Sequence, residues 1–263
     1  MNPVENRKKM AEIMFETFGI PNLYIANQAV LSLIANGKSD GAIIDLGDSY
    51  THIYPMREYY CPIPNRIEWI DFGGKDLTYY LYKKLVREEN QRISLYDAQK
   101  IKEHGCYTAF DYYEELGSVD PFDYELPDEN HIVIKKERIN CPEILFKPEI
   151  INKDYDSIAL MLYDVMKKVS MENQINIRNF LYNIILSGGN SMFNGFEERL
   201  KKEIQYLCPN DELREEVRIN SISNIINSPF VGGVNLSQLS TLKWLSKTDY
   251  EEYGSNSIEN FEY

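Results

Sequence analysis

Gly41-Ala42-Ile43-Ile44-Asp45-Leu46-Gly47-Asp48-Ser49-Tyr50-Thr51-His52 begins as an apolar run, reaches a carboxylate and turns at Gly47. It then resumes as the β-prone Thr51-His52-Ile53-Tyr54. Two short β-prone segments around a Gly/Asp turn predict a β-hairpin whose turn presents backbone N–H groups between Asp45 and Asp48. Amides in such a turn can cradle a phosphate, and a neighbouring carboxylate can hold the hydration shell of a Mg²⁺ ion. Taken alone, the segment also reads as an ordinary Gly/Asp surface hairpin, because short motifs recur by chance.

Further along, Asn183-Ile184-Ile185-Leu186-Ser187-Gly188-Gly189-Asn190-Ser191-Met192-Phe193-Asn194-Gly195 repeats the theme. An apolar strand runs into a Gly-Gly turn and then a helix, the order that lets a ligand approach bare backbone at a helix start. Two strand-ending glycine turns make sense if they face each other across a cleft. One would take phosphates and the other a nucleoside.

The elements around them alternate between strand and helix, which indicates an α/β architecture. Asn2 is a candidate N-cap with Pro3 at the first helical position, and Met10, Ile13, Met14 and Phe18 fall on one face of the helix that stops at Gly19. Leu23–Ile25 is predicted as a short strand and Gln28–Asn36 as a helix, while Pro55, Pro62 and Pro64 limit the strands after the hairpin. Helices are expected from Gly74 to about Arg87, after the capping-box-like Ser94-x-x-Asp97, and over Cys106–Leu116. Gly117–Asn130 reads as an acidic loop and Ile132–Ile139 as strand–turn–strand. Further helices are expected over Ser157–Val169, Ile177–Leu181 and Phe196–Leu207, with a polar, acidic tail from Thr248.

With 263 residues, 43% hydrophobic and 26% charged, the chain can bury one large core or two modest ones. Its 20 tyrosines and 11 phenylalanines argue against wholesale disorder. A net charge of −13 argues against nucleic acid as a partner, since phosphate backbones demand clustered lysine and arginine. The four cysteines, Cys61, Cys106, Cys141 and Cys208, form no C-x-x-C pair, so metal and redox frameworks lack support and reduced thiols are expected. No apolar run is long enough to span a membrane, and the start lacks a signal-peptide core. These features place the chain in the cytoplasm, with the nucleus as the alternative.

Many pieces in order resemble actin and the actin-related proteins. They include Ile13-Met14-Phe15-Glu16-Thr17-Phe18, Gln28-Ala29-Val30-Leu31-Ser32-Leu33, Asp45-x-Gly47-Asp48, Thr51-His52, Gly74-Lys75-Asp76-Leu77-Thr78, Ile101-Lys102-Glu103, Tyr124-Glu125-Leu126-Pro127-Asp128, Cys141-Pro142-Glu143, Leu186-Ser187-Gly188-Gly189, Gly232-Gly233 and Leu239-Ser240-Thr241. The resemblance implies the fold shared by actin, Hsp70 and sugar kinases, a ribonuclease H-like α/β fold. It places 1–35 and 225–263 in what remains of an outer domain and 36–224 in a complete inner domain. Met1 aligns inside the family's first domain, so the part carrying the other phosphate hairpin and the small upper subdomain has no counterpart here.

By the same resemblance, Asp45 organises water around Mg²⁺, and Gln28 and His52 place the water that attacks the γ-phosphate. Such hydrolysis is positioning and charge neutralisation rather than covalent chemistry. The amides of Gly47, Asp48, Ser49 and Tyr50 would hold phosphates, and Lys102 and Glu103 would touch base and ribose. Gly188, Gly189, Asn190, Met192 and Phe193 would line the adenosine pocket. The implied cofactor is ATP or ADP with Mg²⁺ in the complete protein, held weakly or not at all by this chain. Its departures from the family are Ser49 for a glycine, Phe193 for a tyrosine, Gln99 for an arginine and Ile226 for a lysine. The implied function is that of an actin-like cytoskeletal protein with slow ATP hydrolysis, which assembles with itself or other actin-like subunits. It would meet actin-binding proteins at an apolar groove including Val231, Leu236 and Leu239. A non-hydrolysing scaffold or adaptor subunit, or a truncated regulatory product, is the alternative.

Overall fold

The computed structural model describes residues 3–57, 61–63, 66–87, 92–222 and 225–260. Helix α1 (Val4–Glu12) continues as a π-helical turn over Ile13–Thr17 and stops before Gly19, where a φ of 62° reverses the chain. Pro3 occupies the N-cap position, so the helix begins one residue later than expected, and Asn2 lies outside the described residues. The inward face is also different from the expected stripe: Arg7, Ala11 and Phe15 are buried, whereas Met10, Ile13 and Phe18 are exposed. What selects the inward face is the C-terminal segment, since Ala11 and Phe15 pack with Leu245, Tyr250 and Ile258, and the Phe15 and Tyr250 rings stack at 4.7 Å.

Strand β1 (Asn22–Leu23) is shorter than predicted and leads to α2 (Gln28–Ala35). The Asn27 side chain caps α2 by accepting from the Ala29 amide at 2.8 Å. The opening stretch forms the expected hairpin: β2 (Gly41–Leu46) and β3 (Thr51–Arg57) pair antiparallel from Gly41↔Met56 to Leu46↔Thr51. Strands β4 (Cys61–Pro62) and β5 (Glu68–Ile70) both pair with β3, and Pro64 lies outside the described residues.

Helices α3 (Gly74–Arg87) and α4 (Leu95–Gly105) follow, the second opened by a complete Ser94/Asp97 capping box. Cys106–Leu116 is not one helix. Its first half is extended, bridged through Tyr107 to Asn194, and only α5 (Tyr112–Glu115) is helical. Thr108 donates its amide to the Asn194 carbonyl at 2.8 Å, a tertiary bond that outweighs local helix preference. The acidic segment expected as loop contains β6 (Phe122–Glu125), which pairs with β7 (His131–Ile134). The predicted strand after β7 is instead α6 (Glu137–Glu143).

The remainder comprises α7 (Ile158–Asn173), α8 (Arg178–Leu181), β8 (Ile184–Ser187), α9 (Phe196–Leu207), α10 (Asp211–Glu215), β9 (Ile219–Asn220), α11 (Ser228–Ser237), β10 (Leu245–Ser246) and α12 (Lys247–Tyr253). Far from being a loose tail, the last of these is capped by a Ser246/Asp249 box, and Tyr250 donates to Glu16 at 2.8 Å.

The central sheet has the order β4-β3-β2-β8-β9, with β5 also on β3. It is mixed, because β2 runs antiparallel to β3 but parallel to β8. Strand β2 is buried along its whole length, which explains its continuous apolar run. Period-two alternation sends Ala42, Ile44 and Leu46 into the large core with α3, α4, α7 and α9. Ile43 faces the opposite side, under α2 and α11, together with Tyr54 and Ile185. Asp45 shares the parity of Ile43 and so projects toward the N-terminus of α2.

Candidate functional site

Parallel pairing of β2 and β8 aligns Asp45 with Ser187, so both strands end at the same edge. Carboxyl ends of neighbouring parallel strands are where open α/β sheets bind ligands. A cleft of about 460 Å³ opens there. It brings together Gly47, Asp48, Lys102, Glu103, Gly189, Asn190, Met192 and Phe193 from separate parts of the chain, with Gln99 and Ile226.

The hairpin turn is held from outside. Gly47 donates its amide to the Tyr50 carbonyl at 3.1 Å. The Gly47 carbonyl accepts from Gly74 N–H at 3.1 Å and from Asn190 Nδ2 at 2.7 Å. Lys75 N–H donates to the Asp48 carbonyl at 2.9 Å. These bonds fix the turn through its carbonyls, and the amides of Asp48, Ser49 and Tyr50 have no acceptor among the described residues. Successive amides left without acceptors can serve an anion. Ser49 takes its place without left-handed backbone, as only Glu129, Asn152 and Gln174 among the described non-glycine residues have positive φ.

The second turn is cut to fit the first. Gly188 has φ 84°, and a Cβ there would lie 2.4 Å from the Leu46 carbonyl carbon. Gly73, not singled out in the sequence, is just as constrained, with a Cβ position 2.4 Å from the Asp48 carbonyl oxygen. The tandem Gly73-Gly74 at a helix start was the available signal. Lys102 is buried and its Nζ donates to the Gly74 carbonyl at 3.0 Å, on the cleft wall. Glu103 accepts from Gln99 and Lys100, both at 2.7 Å.

Gln28, Asp45 and His52 gather beside the hairpin rather than in the cleft lining. Asp45 and His52 are cross-strand partners. Gln28, at the start of α2, donates from Nε2 to Asp45 Oδ2 at 3.2 Å. Asp45 Oδ1 is buried without a partner. Burial raises the Asp45 carboxyl above its ordinary 3.8, opposed by the neighbouring Ser187 hydroxyl and by His52. Burial lowers His52 below 6.5, against the pull of Asp45. Ser187 itself bonds to Ser32 at 3.1 Å, which ties β8 to α2. Tyr50 points away from the cleft, with its ring edge-on to Trp69 at 5.8 Å and Lys75 Nζ 5.5 Å from its centroid. His52 continues this aromatic row by stacking on Tyr54 at 5.6 Å.

Residues 1–104 and 95–261 match the Actin family model. The chain belongs to the actin family. An actin-like chain with this mixed α/β sheet has donors suited to the ATP or ADP with Mg²⁺ that actins generally hold. The test is local. A buried carboxylate oxygen without a partner suits a cation's hydration shell. Turn amides without acceptors suit phosphate, and Gly189, with nothing within 4 Å of a Cβ position, leaves backbone open to a nucleoside. Among the described residues no helix is long and apolar enough to cross a membrane, and no three His, Cys, Asp or Glu side chains cluster as a direct metal cage. An all-protein cage is unnecessary for Mg²⁺, which keeps several waters.

The expected apolar groove is altered. Val231 and Leu239 are exposed on this actin-family chain, but Leu236 is buried among Ala29, Leu33 and Ile43. Its spacing in α11 turns it toward α2, so it belongs to the core.

Proposed function

We propose that this chain binds ATP or ADP with Mg²⁺ in the cleft between its two glycine turns and associates with actin-like subunits as a cytoplasmic, cytoskeletal protein. The observation that carries the reading is Asp45, whose Oδ1 lies buried and unpartnered beside the acceptor-free turn. A bound Mg²⁺ would neutralise phosphate charge. Asp45 Oδ1 would accept from water on that ion, while Gln28 fixes Oδ2. His52, kept neutral by burial, can accept a proton from a water that Gln28 orients. The amides of Asp48, Ser49 and Tyr50 would hold phosphate oxygens, Gly47 being tied instead to the Tyr50 carbonyl. Lys102 and Glu103 would touch the base and ribose, and Gly189, Asn190, Met192 and Phe193 would form the adenosine wall, with Gly188 packed behind them on Leu46. The division into 1–35 with 225–263 and 36–224 belongs to this reading. It is supported by the close packing of α2 on α11 and of α1 on the C-terminal segment.

A fluorescent ATP analogue titrated with and without Mg²⁺ tests the site. Asp45→Asn is expected to weaken Mg²⁺-dependent binding about tenfold, the scale of one lost charge-assisted contact. Binding indifferent to Mg²⁺ and to Asp45→Asn would count against the nucleotide assignment. Assembly that persists without any nucleotide binding would favour the scaffold alternative.

The same substitution should stabilise the unliganded protein. Because the folded-state pKa of Asp45 is raised, the fold favours its protonated form. That stabilisation is complete below the unfolded value of 3.8 and is lost as pH rises through the folded value. At neutral pH, Asp45→Asn removes the buried charge and is expected to gain about 1–2 kcal/mol, the scale of relieving an unsatisfied buried acceptor. The gain should shrink as pH falls toward 4, as read by urea midpoints across pH. An equal gain at every pH would show that Asp45 ionisation is not its origin.

A further inference from the structure

We propose that the groove between α3 and the Pro148–Lys153 segment is a second anion site, which takes the phosphate groups of a polyphosphorylated ligand. The groove has a volume of 530 Å³ and is lined by Lys83, Lys84, Arg87 and Lys153, with Asp76 as its only carboxylate among the described residues. Four cations in one groove run against the net charge of −13 carried by the whole chain. They converge for identifiable reasons. Asp76, Tyr80, Lys83, Lys84 and Arg87 recur three and four residues apart along α3, so one helix face presents them together. Lys153 arrives from another element: Asn152 turns through the left-handed region at φ 55°, and the Lys153 amide bonds to the Pro148 carbonyl at 3.2 Å.

Basic residues in a last helical turn favour the helix dipole, and that alone would account for Lys84 and Arg87. It does not account for Lys153, nor for Lys83, whose Nζ sits 4.1 Å from the Tyr79 ring centroid. No carboxylate pairs with Lys83, Arg87 or Lys153 among the described residues. Ile150 and Ile151 give the groove an apolar floor. The volume falls within the roughly 300–1,000 Å³ of small-molecule sites, so a compact ligand fits better than a broad acidic protein surface. Clustered lysine and arginine match phosphate oxygens, with arginine able to bind two at once. Free inositol polyphosphate and a phosphoinositide headgroup share this chemistry.

The test titrates inositol hexakisphosphate into the full chain by calorimetry, with Mg-ATP present throughout to occupy the other cleft. A parallel arm measures co-sedimentation with phosphatidylcholine vesicles carrying phosphatidylinositol bisphosphate. The double variant K83E/K153E is expected to weaken binding about tenfold or more. The control K167E/K168E makes the same charge change at exposed positions of α7 and should leave affinity within about twofold. Lys153→Ala, on the exposed segment, serves as the mild variant and should weaken binding in the same direction. Binding of both forms supports the site for the shared chemistry, and binding of only one, with the same variant dependence, assigns the source. No binding to either probe, or equal losses in K83E/K153E and K167E/K168E, would overturn the proposal, as would preference for a polyglutamate peptide over both.

Discussion

Arg199→Leu is expected to destabilise the protein by about 3–5 kcal/mol, the cost of leaving a buried charge without its partner. Arg199 and Glu143 are both buried and face each other in a two-pronged pair, with Nη1–Oε2 at 3.0 Å and Nη2–Oε1 at 2.9 Å. Arg199 also donates to the Ala109 carbonyl at 2.8 Å and to Glu203 at 2.6 Å. It therefore joins α9, α6 and the extended segment that replaces the helix expected after Cys106. The Phe146 ring lies 4.8 Å from the guanidinium carbon and closes the pair from water. Urea denaturation should show most of that loss in Arg199→Leu, because Glu143 then stays buried with only the half-buried Lys147, 3.4 Å from its Oε1, to offset its charge. The double variant Glu143→Leu/Arg199→Leu removes both charges and should recover at least half of it. Incomplete recovery follows from the carbonyl of Ala109, which loses its donor. A double variant no more stable than the single one would show that uncompensated charge is not the source of the loss.

Alanine at two adjacent glycines will act in opposite directions. At Gly232 a Cβ would stand 1.8 Å from the Leu31 carbonyl oxygen, so α11 must move away from α2. Gly232→Ala should cost about 3 kcal/mol, at the upper end of ordinary overpacking. At Gly233 the nearest atom to a Cβ is Leu31 Cδ1 at 3.9 Å, an ordinary contact. Gly233→Ala should therefore gain about 0.5–1 kcal/mol from helix propensity. Thermal melts of the two single variants check both signs. Because Gln28 starts the helix that Gly232 packs against, Gly232→Ala should also weaken Mg²⁺-dependent nucleotide binding, and Gly233→Ala should leave it unchanged. Two similar losses would mean that close approach of α2 and α11 does not set their packing.

How far the fold was legible depended on how local its causes are. The β2–β3 hairpin, the β8 strand with its glycine turn, and α9 each carry their signal within about a dozen residues: an apolar run, a glycine, a helical period. The Ser94/Asp97 capping box is legible for the same reason, since both partners lie within one turn. Cys106–Asp111 departs from the expected helix because its extended shape comes from bonds to Asn194 and Arg199, which are distant in sequence. The C-terminal segment looked like a polar tail because its apolar residues are sparse, yet Tyr250 and Ile258 find the inner face of α1.

The candidate site divides in the same way. Residue types and turn chemistry marked Asp45, Gly47, Asp48, Gly188 and Gly189 without coordinates. Convergence with Lys102 and Glu103 into one cleft, the orphaned oxygen of Asp45 and the constraint on Gly73 required the folded chain. By itself the sequence determined the family and the two glycine turns, because backbone freedom and apolar periodicity act between near neighbours. Only the tertiary structure decided that Gly232 lies against the Leu31 backbone while Gly233 does not, that Leu236 belongs to the core, and that Met10 faces outward. Each of those outcomes depends on which surface a distant segment presents, and no local pattern records that.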